Sequence, residues 1–303
     1  MAVTVRVPAK INLQLAVGPP RADGYHCLVS VFHAVSLYDE VTVESAARTE
    51  LMVTGEDAAA VPADKTNLAW RAATAVAREA GLEDASVRIR IRKRIPVAAG
   101  LAGGSADAAA ALVACNELWQ LGMSQTELSD LAADLGSDVP FALAGGTAVG
   151  RGRGEQLTQA LAAGNYHWAL AFGAAGLSTP EVYATCDRLR AARSVPAPEP
   201  ELSNPLMTAL RSGDPAKVGP LLSNDLQPAA LSLQPGLRQA LAAGREHGAL
   251  GAIVSGSGPT CAFLASDAAR ASDIAVALTG AGVCRAVATA SGPVPGAVVI
   301  KDS

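Results

Sequence analysis

The sequence predicts an α+β fold, because strand-like alternation and helix-like spacing are mixed along the whole of its length. Two segments show the alternation. Val3, Val5 and Val7 alternate with Thr4 and Arg6, and Val87, Ile89 and Ile91 alternate with Arg88, Arg90 and Arg92. Both have the period of two expected of a strand with one buried face. A third segment shows the helical period: Leu128, Leu131 and Leu135 recur at the spacing of one helix face.

Taken in order, the first strand resumes after Pro8. Ile11, Leu13 and Leu15 lie on one face, and Lys10, Asn12 and Gln14 share the other. Asp23-Gly24 signals a turn, and Val29 to Val43 reads as a second strand. The strand at Val87 leads into a Gly-rich stretch from Gly100 to Gly104. A helix is expected from about Ala106 to Leu121, with Gly122 as its stop. Ser124 and Glu127 form a capping box for the next helix, which Gly136 ends. Gly145 to Gly154 reads as a flexible boundary, dividing the chain into residues 1–155 and 156–303. Val195 to Pro200, with three prolines, reads as a loop. The second half mixes a helical pattern, Leu237 to Leu250, with short strands at Ala252 to Val254 and Cys261 to Leu264.

Composition narrows the function. Of 303 residues, 50% are hydrophobic and only 4% aromatic, so Ala, Val and Leu must build a sizeable core. A net charge of −4 argues against nucleic acid as a partner. The five cysteines form no Cys-x-x-Cys pair, so neither a zinc site nor a disulfide framework is indicated, and a reducing cytoplasm is expected. Met1 to Lys10 lacks the apolar core of a signal peptide, and no apolar run is long enough to span a bilayer; no membrane association is expected.

The segment Pro96-Val97-Ala98-Ala99-Gly100-Leu101-Ala102-Gly103-Gly104-Ser105-Ala106 carries the chemistry. A strand enters it and an Ala-rich helix leaves it. Glycines let backbone N–H groups approach an anion, and a helix N-terminus adds unpaired donors, so the segment reads as a phosphate cradle. The plainer alternative is a tight turn with Ser105 as N-cap. Ser105 could equally touch phosphate or Mg²⁺. Neither a Walker A loop nor a Gly-x-Gly-x-x-Gly fingerprint is present, which disfavours a dinucleotide oxidoreductase. Ser255-Gly256-Ser257-Gly258-Pro259-Thr260 reads either as a hairpin loop or as a second wall of the same pocket. Taken alone, Lys10 would be an ordinary surface lysine, Asp138 a helix N-cap, and Tyr25-His26 a structural pair on a turn.

Together, and in this order, these segments resemble the kinases named for galactose, homoserine, mevalonate and phosphomevalonate. Pro8-Ala9-Lys10-Ile11-Asn12-Leu13 resembles their first motif, the Pro96 to Ala106 loop their second and Ser255 to Thr260 their third. Arg21-Ala22-Asp23-Gly24-Tyr25-His26 and Leu135-Gly136-Ser137-Asp138-Val139-Pro140 are similar to one branch of that family. That branch phosphorylates the 2-hydroxyl of an alcohol carrying a cytidine diphosphate group, in the non-mevalonate route to isoprenoid precursors.

The resemblance implies an N-terminal domain like ribosomal protein S5 domain 2 and a C-terminal ferredoxin-like domain, with the site between them. It implies ATP as co-substrate with Mg²⁺, whose ligands it leaves unassigned. It makes Lys10 and Asp138 the catalytic pair and gives Asn12 to the accepting end of the substrate. Tyr25 and His26 would read the cytosine, and Tyr183, in Thr179-Pro180-Glu181-Val182-Tyr183, would stack on its other face. Asn67 and Lys93 would border the adenine. The sequence itself identifies no Mg²⁺ carboxylate; Asp107 is close to the loop but reads as favouring the helix dipole. A monomer or homodimer is expected. Two rival readings stay open: another kinase of the same family, acting on homoserine or mevalonate, and a nucleotide-binding regulator without turnover.

Overall fold

The computed structural model describes residues 2–82, 84–194 and 197–300. The expected loop at Val195 to Pro200 therefore lies partly outside the described residues.

The chain begins with two long antiparallel strands, β1 (Ala2–Pro20) and β2 (His26–Ser45). Their register slips between Pro8 and Ala9 and again between Asn12 and Gln14. Such irregularities bend a strand and re-aim its side chains, and here they flank Lys10 and Asn12. β3 (Glu50–Gly55), α1 (Leu68–Glu79) and β4 (Val87–Lys93) follow, with β3 parallel to β4 and α1 as the crossover. α2 (Gly103–Leu118), α3 (Gln125–Leu135) and α4 (Val139–Ala144) come next, then β5 (Thr147–Arg151) and β6 (Gln156–Gln159). The first sheet has the order β12-β1-β2-β4-β3, where β12 is Val298–Ile300, with β5 on β2, β6 on β5 and β8 (Ser223–Asn224) on β1.

β7 (Tyr166–Phe172) opens a second sheet. After it come α5 (Thr179–Ala192), α6 (Asn204–Ser212), α7 (Pro215–Val218), β8 (Ser223–Asn224), α8 (Gln227–Leu233) and α9 (Gly236–Glu246). The chain finishes with β9 (Gly251–Val254), β10 (Cys261–Ala265), α10 (Ala268–Gly280), β11 (Ala286–Gly292) and β12 (Val298–Ile300). The second sheet is antiparallel in the order β11-β7-β10-β9. Counted along the chain from β7, that is fourth-first-third-second, the ferredoxin-like order the resemblance implies. The α+β expectation holds. β8 and β12 return from the second half to flank β1.

The main core fills the space between the first sheet and α1, α2 and α3. α2 is buried nearly all round, and Ala106, Ala108, Ala109, Ala110 and Ala111 let it lie close to both β1 and α1. A second cluster, under α9 and α10, packs on the second sheet. No described helix is long and apolar enough to cross a membrane.

Three sequence expectations need correction. α2 begins at Gly103, three residues before Ala106, because Ala102 adopts a left-handed conformation (φ 60°) and turns the chain directly into the helix. It ends at Leu118, not Leu121, because Gln120 is also left-handed (φ 54°). The helical pattern from Leu237 stops at Glu246, short of Leu250, since Gly248 turns the chain out at φ 85°. Gly145 to Gly154 is no flexible segment: it contains β5, and a Cβ on Gly150 would sit 2.5 Å from Phe32 Cε2. By contrast, the Ser124–Glu127 capping box and the Gly136 stop are formed as expected.

Candidate active site

One cleft of about 1000 Å³ lies against the polar face of β1. Lys10 and Asn12 form its floor and are buried, 6% and 2% exposed. The polar face of this strand is therefore not turned to bulk water, and Lys10 is no ordinary surface lysine. Its ammonium donates to Asn12 Oδ1 at 2.8 Å and lies 3.6 Å from Asp138 Oδ2. The chain of bonds continues: Asn12 Nδ2 donates to Ser30 Oγ at 2.7 Å, and Ser30 Oγ donates to the Gln14 carbonyl at 3.0 Å. Each buried polar group thereby has a partner and its position is fixed. Asp138 occupies the N-cap position of α4, yet its side chain makes no capping bond. Its carboxylate faces Lys10 instead, so the plain capping role does not describe it.

The phosphate-cradle segment forms one wall. Ala102, at the N-cap position of α2, offers no side-chain acceptor. Among the described residues no hydrogen bond uses the N–H of Gly103, Gly104 or Ser105; the first amide of α2 with a partner is Ala106, bonded to Ala102. Three backbone donors at the positive end of a helix dipole are left free at the cleft. Ser105 is the third residue of the helix, not its N-cap. Pro96, Val97, Ala98, Ala99, Gly100, Ala102, Gly103, Gly104 and Ser105 all line the cleft. Leu101 and Ala106 do not: each is 1% exposed and packs in the core. Leu101 contributes its carbonyl, which accepts from the Lys10 backbone N–H at 3.2 Å.

Ser255 to Thr260 is both things its sequence allowed, a hairpin loop between β9 and β10 and a wall of the cleft through Gly256 and Ser257. Ser255 Oγ donates to the Gly100 carbonyl at 3.1 Å. Gly256 is left-handed (φ 55°), and a Cβ there would lie 3.2 Å from the Lys10 ammonium and 3.4 Å from Asn12 Oδ1. This close approach needs a glycine. Asn224 Nδ2 holds the loop by donating to the carbonyls of Val254 and Gly256, both at 2.7 Å.

Asn67 and Lys93 also line the cleft, but both side chains are engaged. Asn67 caps α1 by accepting from the Ala69 N–H and donates to the Pro62 carbonyl. The Lys93 ammonium is paired with Asp39 and lies 2.8 Å from Asp107 Oδ2. Burial opposes its charge, but the carboxylates of Asp107 and Asp39 outweigh that and hold its pKa above the ordinary lysine value. Burial pushes the Asp107 carboxyl up to about 8 against the pull of Lys93. Asp107 is thus a buried hydrogen-bond partner of Lys93 rather than a residue serving only the helix dipole. Asp39 also accepts from the N–H groups of Arg94 and Ile95, tying β2 to the start of the cradle.

At the far end of the cleft, Tyr25 is half exposed and buried His26 sits beside Tyr183, ring centroids 5.0 Å apart. Tyr183 joins this end to the one that holds Asp138. Burial and then the charge of Asp138 raise its pKa. The Arg153 guanidinium lies 5.0 Å from the centre of the Tyr25 ring. His26 Nε2 is 3.1 Å from both oxygens of Asp187. Neither Arg153 nor Asp187 was singled out from sequence. Asp187 could have been, since it follows Tyr183 by four residues and so shares its helix face.

Comparison with known proteins agrees with this geometry. Residues 67–146 match the model of the GHMP kinases N terminal domain, and residues 206–284 that of the GHMP kinases C terminal. The 4-diphosphocytidyl-2-C-methyl-D-erythritol kinase of Mycolicibacterium smegmatis is 58% identical over 299 residues, 99% of this chain and 92% of that one. The chain belongs to the GHMP kinases, in the branch of the 4-diphosphocytidyl-2-C-methyl-D-erythritol kinases. The same-named protein of Nocardia farcinica is 57% identical over 98% of this chain and 96% of its own length. A crystal structure of a 4-(cytidine 5'-diphospho)-2C-methyl-D-erythritol kinase superposes on this GHMP kinase with a TM-score of 0.76 at 33% identity, over 95% of this chain and 98% of that one. A homoserine kinase from Cytophaga hutchinsonii, at 20% identity and a TM-score of 0.75 over 99% and 97% of the two chains, shares the fold.

Proposed function

We infer that this chain is an ATP-dependent kinase that transfers the γ-phosphoryl group to the 2-hydroxyl of 4-diphosphocytidyl-2-C-methyl-D-erythritol, in the non-mevalonate route to isoprenoid precursors. The observation that carries the reading is the sharing of one cleft. The Lys10–Asp138 pair, the uncapped start of α2 and the His26–Tyr183 pair all line it. The first two suit phosphoryl transfer in general; the third suits an acceptor bearing a flat heterocycle.

Phosphoryl transfer requires in-line positioning and stabilisation of charge on the transferred group. The free amides of Gly103, Gly104 and Ser105 donate to the oxygens of the nucleotide phosphates. Asn12 positions the accepting end of the substrate. Asp138 orients the acceptor hydroxyl and takes its proton as the bond to phosphorus forms. Lys10 stabilises the carboxylate before transfer and the γ-phosphoryl oxygens during it. Asn67 and Lys93 hold the edge of the adenine side through the elements they fasten. A Mg²⁺ arriving with the nucleotide would supply positive charge to the phosphates. Such an ion usually keeps several waters and takes most other ligands from the phosphates. Ser105, which lines the cleft at the start of α2, would help hold such an ion.

Cytosine stacks with Tyr25 and Tyr183, each stack worth about 1–3 kcal/mol, and His26 reads its polar edge. Residues 1–155 supply Lys10, the cradle and Asp138, while residues 156–303 complete the acceptor end. The enzyme acts as a monomer or homodimer in the cytoplasm, where its five free cysteines stay reduced. A coupled ADP-release assay across candidate alcohols tests the reading. The cytidine diphosphate conjugate should be turned over, and homoserine, mevalonate and free methylerythritol phosphate should not. Preferential turnover of homoserine or mevalonate would move the chain to another branch, and no turnover with any acceptor would leave a nucleotide-binding regulator.

A further inference from the structure

We propose that Asn224 is a positioning residue for phosphoryl transfer: it holds the Ser255–Thr260 loop at the distance from β1 that keeps the Lys10 ammonium in place. The proposal rests on the role given to Lys10 above and adds to it a residue that does not itself line the cleft.

Asn224 ends β8, which runs parallel to β1 with Leu15 opposite Asn224. Its side-chain amide is fully used. Nδ2 donates to the carbonyls of Val254 and Gly256, each at 2.7 Å, and Oδ1 accepts from the Leu226 N–H at 2.9 Å. Carbonyl oxygens only accept and a backbone N–H only donates, so the partners fix which way round the amide lies. Val254 is gripped on its other side too, since its N–H donates to Gln227 Oε1 at 2.9 Å. The same stretch is tied to β1. The Asp225 N–H donates to the Leu15 carbonyl at 2.9 Å, and Asp225 Oδ2 accepts from the Val17 N–H at 2.9 Å. Residues 224–227 therefore bridge the first sheet, which carries Lys10, to the second, which carries the loop.

The bridge ends where the loop comes nearest to Lys10. A Cβ on Gly256 would lie 3.2 Å from the ammonium and 3.4 Å from Asn12 Oδ1. The loop thus closes off one side of the ammonium and leaves it the position 2.8 Å from Asn12 Oδ1 and 3.6 Å from Asp138 Oδ2. Ser255 Oγ and the Thr260 N–H fasten the loop to the cradle through the carbonyls of Gly100 and Ala99. Among the described residues, however, only Asn224 takes the Gly256 carbonyl. Without that donor the carbonyl must turn to find another, the loop shifts, and Lys10 gains room to move. A displacement on the order of 1 Å in a group aligned for transfer can cost about 10²-fold in rate. Asn224 touches neither substrate nor reacting atoms in this scheme; it acts through Gly256 on Lys10.

The test is a double-mutant cycle in the full chain, read as kcat for ADP release with the cytidine diphosphate conjugate. Asn224→Ala should lower kcat about 10- to 100-fold and leave KM for ATP within about 3-fold of wild type. In a Lys10→Met background, where the positioned ammonium is gone, the same substitution should lower kcat by less than about 3-fold. A residue that merely supports the fold would lower Tm and take the same fraction of kcat in both backgrounds. Equal fractional losses, or near-normal kcat in folded Asn224→Ala, would therefore overturn the proposal while the role of Lys10 stands. Asn224→Asp keeps the shape but sets a carboxylate oxygen against the two carbonyls, so it should lose at least as much kcat as Ala; near-normal kcat there would also overturn the proposal. In the wild-type protein, amide NMR should show both Nδ2 protons of Asn224 protected from exchange with solvent, and rapid exchange of either would overturn the proposal whether or not the variants fold. Near-normal kcat in folded Lys10→Met, or no turnover of the conjugate by the wild type, would overturn the reading of the site itself and the proposal with it.

Discussion

Replacing Lys10 with methionine removes the ammonium and keeps most of the side chain's volume. At 3.6 Å, two unit charges interact with about 1 kcal/mol in a water-like dielectric and about 5 kcal/mol at an effective dielectric of ~20. Lys10 is nearly buried, while the Asp138 side chain is 32% exposed, so the working value lies between these limits, about 2–3 kcal/mol. In the proposed reaction the same ammonium meets the γ-phosphoryl charge in the transition state. Its loss should therefore lower kcat roughly 30- to 150-fold, close to the effect of removing one preorganised donor from an oxyanion site. A folding cost accompanies it, because Asn12 Oδ1 loses the donor it has at 2.8 Å. An unsatisfied buried acceptor costs about 1–3 kcal/mol, or a Tm decrease of roughly 2–4 °C per kcal/mol for a chain of this size. The assay is steady-state ADP release with both substrates varied, at a temperature where a parallel melting curve shows the variant folded. A folded Lys10→Met protein with kcat within about 3-fold of wild type would refute the reasoning.

Three further outcomes are expected. Asp138→Asn, which keeps the shape but cannot take a proton, should lower kcat about 10²- to 10⁴-fold with ATP binding retained; near-normal kcat would remove Asp138 from the chemistry. Gly104→Val should weaken ATP binding in titration calorimetry without unfolding the protein, because a Cβ there meets only Leu68 Cδ1 at 3.8 Å and otherwise enters the open cleft. Gly103 is the poorer probe, since its Cβ would press on Ile95 and the Lys93 ammonium at 3.1 Å; unchanged ATP affinity in folded Gly104→Val would exclude the cradle. Asp107 gives a pH prediction: its pKa of about 8 in the folded chain, against about 4 when unfolded, means the native state holds a proton the unfolded chain has released between those values. That contribution is complete below about pH 4 and is lost as the pH rises through about 8. In urea melts Asp107→Asn should flatten the decline, and an unchanged pH slope in the variant would show that Asp107 is not its source.

Local patterns made part of this legible in the sequence. The α3 helix runs from Gln125 to Leu135 as its capping box and Gly136 demand, because both signals act within one turn of the helix ends. The limits of α2 were misread because Ala102 and Gln120 take left-handed conformations that alanine and glutamine rarely adopt, and nothing nearby in the sequence marks them. Gly145 to Gly154 looks flexible by composition, but its glycines serve close packing, Gly150 lying directly against Phe32. In the site, Lys10 and Asp138 were reachable through motif resemblance. Their ion pair spans 128 positions and could not be read from periodicity. The same holds for His26 and Asp187, which are 161 residues apart, and for Lys93 and Asp39, which are 54 apart. In each case sheet pairing or helix docking brings the partners together, and only the fold specifies it.

The measurement closest to the central claim is phosphorus and carbon NMR of the product formed from ATP and the cytidine diphosphate conjugate labelled with carbon-13 at its second carbon. The account predicts one new phosphomonoester resonance coupled to that carbon, an intact diphosphate bridge, and one ADP for each product. ADP released without a new phosphomonoester, or a phosphomonoester on any other carbon, would contradict it.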